Sequence, residues 1–175
     1  MKNTILSVIS VIVLGGSVYA IVALAPQFIE QVGPRETKNF PVAPDFTLVD
    51  LSGGNVTLSD LRGRDVLLVF WTSWNDVSLD ELKALDDYKA HFAPQTLEII
   101  AVNSQESADV VRRVASRYGL SLTILLDTDG VVGEKYHIGV LPLAVFIEAS
   151  GLEAKALVGP QTKEQIEAEI AKMHQ

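Results

Sequence analysis

Residues 66–81, VLLVFWTSWNDVSLDE, decide the fold of this chain. Residues 66–71 are continuously apolar, which is typical of a central strand covered on both faces. Apolar side chains then recur with a helical period over residues 79–92, so a helix follows the strand after a short link. Functional groups of α/β folds often lie at such strand-to-helix turns, and this turn contains residues 75–78, Asn-Asp-Val-Ser.

The rest of the chain alternates strand-type and helix-type patterns around this turn. Two alternating apolar stretches flank Gly53 and Gly54, which indicates a β-hairpin at the start of the domain. Further strands are predicted at 97–102, 122–126, 143–148 and 153–158, and further helices over 107–119 and from Thr162 onward. This order predicts a three-layer α/β fold in which helices flank a central mixed sheet.

An uncharged segment precedes the domain. Residues 5–25 carry no charge over 21 positions, a length that spans the roughly 30 Å of a bilayer core as a helix. We predict one transmembrane helix, with residues 1–25 as a membrane anchor. A cleaved signal peptide is the alternative, because residues 23–25, Ala-Leu-Ala, resemble a cleavage site. Pro26 disfavours cleavage directly after that site, so the anchor is preferred.

A proline-rich stretch separates this segment from the domain. Residues 26–44 contain four prolines and no sustained apolar period, which indicates a linker. We therefore divide the chain into an anchor at 1–25, a linker at 26–42 and a folded domain at 43–175. Because the N-terminal tail is short, we expect the domain on the extracytoplasmic side of the cell membrane, held by a single pass.

Composition excludes several classes of function. The net charge is −8 and the 14 lysines and arginines are dispersed, which argues against a nucleic-acid partner. The chain contains no cysteine, so it has no disulfide, no thiolate nucleophile and no cysteine zinc ligand. His91, His137 and His174 share no metal-ligand spacing, and we expect neither a metal nor a cofactor.

Several short motifs together resemble one known family. They are APDFTL at 43–48, VFWTSW at 69–74, AVN at 101–103 and Leu141-Pro142 before the apolar run 143–147. Over residues 43–173 the chain resembles the membrane-anchored thioredoxin-like proteins of the TlpA, ResA and DsbE type, which are related to the AhpC/TSA redoxins. The resemblance implies a thioredoxin-like fold and a thiol-disulfide oxidoreductase of the kind that acts in cytochrome c maturation.

The reactive positions of that family are changed in this chain. In the family a Cys-x-x-Cys pair follows the tryptophan that matches Trp74, and its positions here hold Asn75 and Ser78. Neither side chain can form a mixed disulfide, so we predict that the chain alone has no dithiol activity. Asn75 instead matches a helix N-cap, and Asp76 would favourably meet the positive end of the helix dipole. Ser78 with Glu81 matches a capping box, which is an alternative helix start.

Other family positions are retained. Glu81 matches a carboxylate that tunes proton transfer at the dithiol, and without thiols we interpret it as a solvated or capping residue. The resemblance implies that Pro142 is a cis-proline and that the backbone just before it pairs with an extended substrate segment. We interpret Trp71 as a core residue and Trp74 as partly exposed.

Two classes of function remain open. The preferred hypothesis is a redox-inactive binding or assembly module that holds a polypeptide. The alternative is the family's oxidoreductase role, exerted together with a cysteine-bearing redox partner. No side chain is predicted to be catalytic. The candidate binding residues are Trp74, Asn75, Asp76, Ser78, Leu141 and Pro142.

Overall fold

The computed structural model describes residues 12–14, 17–19 and 40–174. Its strands are β1 Ile12–Leu14, β2 Ser17–Tyr19, β3 Thr47–Asp50, β4 Asn55–Thr57, β5 Asp65–Trp71, β6 Leu97–Ser104, β7 Thr123–Asp127, β8 Leu143–Ile147 and β9 Glu153–Val158. Its helices are α1 Asp76–His91, α2 Ala108–Tyr118, α3 Val131–Lys135 and α4 Lys163–Met173, with a 3₁₀ turn at Leu58–Leu61. Each strand and helix predicted between residues 46 and 173 is present, with ends shifted by a few residues.

The predicted membrane anchor lies mostly outside the described residues. Within it, β1 and β2 form a two-stranded antiparallel sheet, in which Val13 is opposite Val18, so these six residues do not form the predicted helix. Over the part of the chain that the structure describes, no helix is both long and apolar enough to cross a membrane. The linker prediction also lies largely outside this part, at residues 26–39.

One seven-stranded sheet organises the domain. Its order is β4-β3-β7-β6-β5-β8-β9, in which β5 lies between β6 and β8. β5 runs parallel to β6, so that Trp71 is opposite Asn103, and antiparallel to β8, so that Phe70 is opposite Leu143. The predicted mixed sheet is therefore confirmed, and the hairpin of β3 and β4 pairs with β7 to complete it.

The apolar run at residues 66–71 lies in β5, and every residue of this strand is buried. Its side chains alternate between two cores, because successive residues of a strand point to opposite faces. Leu67, Val69 and Trp71 pack under α1, α2 and α4, whereas Val66, Leu68 and Phe70 pack with α3 and the 3₁₀ turn. Covering both faces explains why this strand has no polar alternation.

The compact unit begins slightly before the predicted domain start. Residues 40–175 form one compact unit by themselves. The backbone N–H of Glu153 donates to the carbonyl of Pro41 at 2.8 Å, and Val42 forms a β-bridge with Leu152. The last residues of the predicted linker are thus part of the domain's edge.

We predict that a fragment of residues 40–175 folds without the preceding segment. It keeps both cores and the complete seven-stranded sheet, which are the parts that bury apolar surface. Urea unfolding followed by circular dichroism should show one cooperative transition. A broad, non-cooperative curve would show that residues before Phe40 contribute to the domain's stability.

Candidate functional site

The link between β5 and α1 ends at a residue that caps the N-terminus of α1. Asn75 is the N-cap residue, with φ −103° and ψ 104°, and its Oδ1 accepts a hydrogen bond from the Ser78 N–H at 3.1 Å. This confirms the predicted cap. The alternative start at Ser78 is wrong, because α1 begins at Asp76 and already includes Ser78. Asp76 is exposed in the first turn, where a negative charge interacts favourably with the helix dipole.

We predict that Asn75→Ala lowers the free energy of unfolding by about 1 kcal/mol, because it removes the acceptor of an otherwise unpaired helix N–H. Asn75→Ser should cost less, since serine is an equally good N-cap. Urea unfolding of both variants measures the difference. Equal losses in the two variants would show that capping is not what Asn75 contributes.

A second contact fixes the same link from the side of β6. The Glu106 carboxylate accepts hydrogen bonds from the Ser73 N–H at 2.6 Å and from Asn103 Nδ2 at 2.8 Å. The Ser73 hydroxyl also bonds to this carboxylate. Sequence analysis did not identify Glu106, because a contact over 33 residues leaves no periodic signal.

The segment before β8 also contributes to the site. The peptide bond between Leu141 and Pro142 is cis. Asn75 Nδ2 donates a hydrogen bond to the Leu141 carbonyl at 3.2 Å, across 66 residues of sequence. The Pro142 carbonyl in turn accepts from the Gly159 N–H at 2.9 Å. The structure thus joins the two motifs that the sequence placed separately, the turn at residues 75–78 and the Leu141-Pro142 pair.

The candidate binding residues differ in accessibility. Trp74 is 73% exposed, as expected for a residue at the surface, whereas Trp71 is fully buried in the core. Asn75 and Leu141 are half-buried and reach the surface. Ser78 is fully buried and Pro142 is buried, so these two side chains support the surface rather than form it.

A cleft of about 560 Å³ lies beside this junction. Trp74, Asn75 and Leu141 form one side of it. Sequence analysis missed the rest of the lining, most of which comes from strand ends, a short helix and loops distant in sequence. These additional residues are Thr72, Ser104, Gln105, Asp127, Gly130, Gly133, Glu134, Ile138, Gly139 and Val140.

The segment of residues 139–141 brings unpaired backbone to the cleft. Among the described residues, the N–H groups of Gly139, Val140 and Leu141 have no hydrogen-bond partner. Val140 is 60% exposed, and the neighbouring strand β8 begins its ladder only at Leu143. Residues 140–142 form bends rather than a strand, and backbone N–H groups left unpaired beside a strand are available to pair with another chain.

Glu81 corrects the sequence interpretation of a solvated or capping residue. It is 2% exposed, and Oε1 accepts a hydrogen bond from the Gln161 N–H at 3.2 Å. Burial raises the pKa of Glu81 to about 7, and the Gln161 hydrogen bond opposes this rise only partly. The side chain is buried because it lies on the face of α1 that also carries Leu82 and Leu85.

Within the described residues, the hydroxyl at position 78 is not activated as a nucleophile. Ser78 Oγ is buried and has no hydrogen-bond partner within the described part of the chain, so no base there activates it. Over the same residues, no group of three or more histidine and carboxylate side chains is placed to bind a metal.

His174, a residue without a predicted role, pairs with the buried Asp65 through a 2.7 Å contact between Nε2 and Oδ2.

Comparisons with known proteins identify relatives of the domain. The AhpC/TSA family model matches residues 41–156. Thiol-disulfide oxidoreductase ResA of Bacillus subtilis is 36% identical over 124 residues, which cover 71% of this chain and 69% of the relative. The ResA protein of Geobacillus kaustophilus is 36% identical over 128 residues, with coverages of 73% and 74%.

A solved structure is similar over most of the chain. The crystal structure of StoA from Bacillus subtilis superposes with a TM-score of 0.66 at 24% identity and covers 74% of this chain and 98% of StoA. At that identity the likeness shows the thioredoxin-like fold alone.

Proposed function

Because the chain belongs to the AhpC/TSA family and yet contains no cysteine, we propose that it is a redox-silent thioredoxin-like domain that binds an extended polypeptide segment. The segment lies in the cleft beside Asn75 and Leu141. Its side chains contact Trp74, and its backbone pairs with residues 139–141.

The unpaired backbone of residues 139–141 is the observation that carries this proposal. Three successive N–H groups without partners in the described structure lie at an open cleft, next to an exposed tryptophan. Main-chain hydrogen bonds of this kind give affinity for extended segments of many sequences. The large flat surface of Trp74 adds apolar contact.

The proposed absence of redox turnover follows from the atoms at positions 75 and 78. Disulfide exchange requires a thiolate that attacks sulfur, and an amide or an unactivated hydroxyl cannot replace it. The ResA relatives are named thiol-disulfide oxidoreductases. A cysteine-bearing redox protein is therefore one kind of polypeptide that this domain would hold.

We also propose that residues 1–25 attach the domain to the cell membrane, with the domain on the extracytoplasmic side. The support is the run of 21 uncharged residues from 5 to 25. Membrane fractionation tests the attachment, and protease added to intact cells or spheroplasts tests the orientation. A soluble chain, or a domain protected from protease, would overturn this part of the proposal.

Photocrosslinking in cells tests the binding function. A photoreactive amino acid is placed at position 74 or 141, and at position 109 as a control on the exposed face of α2. We expect polypeptides captured from positions 74 and 141 that are absent at position 109. The same products at all three positions, or none at 74 and 141, would overturn the proposal.

A further inference from the structure

We infer that Asn75 competes with the bound polypeptide for the carbonyl of Leu141 and so limits the affinity of the cleft. This inference rests on the proposed function, because it assigns a role to Asn75 within the same site. It differs from a contact between Asn75 and the ligand, which would make the side chain contribute to binding.

The competition arises from one hydrogen bond. An extended polypeptide that pairs with residues 139–141 donates its backbone N–H groups to carbonyls of this segment. The Leu141 carbonyl already accepts a hydrogen bond from Asn75 Nδ2 at 3.2 Å. This bond occupies one of the two lone pairs of the carbonyl, so an incoming N–H either shares the oxygen with Asn75 or replaces it, and in both cases it gains less than from a free carbonyl.

The capping bond holds the competing amide in place. Asn75 Oδ1 accepts from the Ser78 N–H at 3.1 Å, so one side chain joins the start of α1 to the segment before β8. Nδ2 is therefore positioned before any ligand arrives. The side chain loses its conformational freedom on folding, so none is lost when it competes with a ligand. A side chain held at both ends is a more effective competitor than a freely rotating one.

The contact depends on the residue type at position 75. The family pattern has a cysteine there, and an S–H group is only a weak donor. Aspartate and serine would retain the cap, but neither offers a side-chain amide. Asn75 combines the cap with a strong donor that reaches the Leu141 carbonyl, so this role belongs to this chain and not to the cysteine-bearing pattern of its family.

Two variants separate competition from capping. Asn75→Ser keeps an N-cap acceptor but is one bond shorter and lacks the amide, whereas Asn75→Ala removes both. Neither substitution changes the net charge, so non-specific electrostatic binding is matched. The probe is fluorescein-labelled ribonuclease A that has been reduced and alkylated, and its affinity for the full chain is measured by fluorescence anisotropy.

We expect both variants to bind the probe about 2- to 10-fold more tightly than the natural chain, the range that one freed hydrogen-bond acceptor supports. Unchanged or weaker binding by both variants would overturn the inference and leave the proposed function intact, because weaker binding means that Asn75 contacts the ligand. Tighter binding by Asn75→Ala alone would assign the effect to loss of the cap and would likewise overturn it. If neither the natural chain nor the variants bind, the proposed function itself fails.

Discussion

The double variant Asn75→Cys with Ser78→Cys is expected to form an internal disulfide on oxidation and to acquire thiol-disulfide exchange activity. The two positions lie three residues apart at the start of α1, as in the family's Cys-x-x-Cys pair. The helix N-terminus would lower the pKa of the first thiol and favour its thiolate. Mass spectrometry detects the disulfide. The rate at which the variant reduces insulin disulfides measures its exchange activity, which the natural chain is expected to lack.

The single variant Asn75→Cys is the matched control, because one cysteine cannot close an internal disulfide. The natural chain should show no reduction of insulin above the rate of the added reductant. A double variant that stays a dithiol under oxidation would show that the side chains at positions 75 and 78 are not placed to form a disulfide. Exchange activity in the natural chain would contradict the proposed absence of redox turnover.

Glu81→Gln is expected to raise the free energy of unfolding at pH 8 by up to about 3 kcal/mol, with little change at pH 5. Burial raises the pKa of Glu81 from its ordinary value of 4.5 to about 7 in the folded chain. Between these values the folded state binds more protons than the unfolded state, so this group's contribution to stability falls as the pH rises. The size of the expected change follows from the shift in pKa, because each pKa unit corresponds to about 1.4 kcal/mol of unfolding free energy.

Urea unfolding of both proteins at pH 5, 6, 7 and 8 measures this effect. The natural chain should lose stability between pH 5 and pH 7 more steeply than the glutamine variant. Asp80→Asn, an exposed carboxylate on the same helix, is the control and should leave the pH dependence unchanged. Parallel pH profiles for the natural chain and Glu81→Gln would show that Glu81 is not a buried acid.

Local sequence patterns predicted the elements of the fold well. The continuous apolar run of β5 and the helix start at Thr162 both depend on neighbouring residues, and the structure confirms both, with a capping box at Thr162. Glu81 was misjudged because a carboxylate usually favours solvent, whereas its position beside Leu82 and Leu85 places it against the core. The position of Glu81 on the helix face determines its burial, although a carboxylate favours solvent. Burial in turn raises its pKa.

The site was only partly predictable, for a different reason. Sequence analysis selected Asn75 and Leu141 separately, but the hydrogen bond between them spans 66 residues. Glu106 and the cleft residues 138–140 likewise reach the site through the fold, without a motif of their own. Such contacts depend on sheet order and loop geometry, which a single sequence does not encode as a periodic pattern.

The most direct measurement is an NMR titration of the ¹⁵N-labelled chain with an unfolded polypeptide that carries one internal disulfide. Redox-silent binding predicts amide shifts confined to Trp74, Asn75 and residues 139–141, while the disulfide of the polypeptide stays intact. Absence of shifts at these residues would contradict polypeptide binding in the cleft, and reduction of the disulfide by the chain alone would contradict its redox silence.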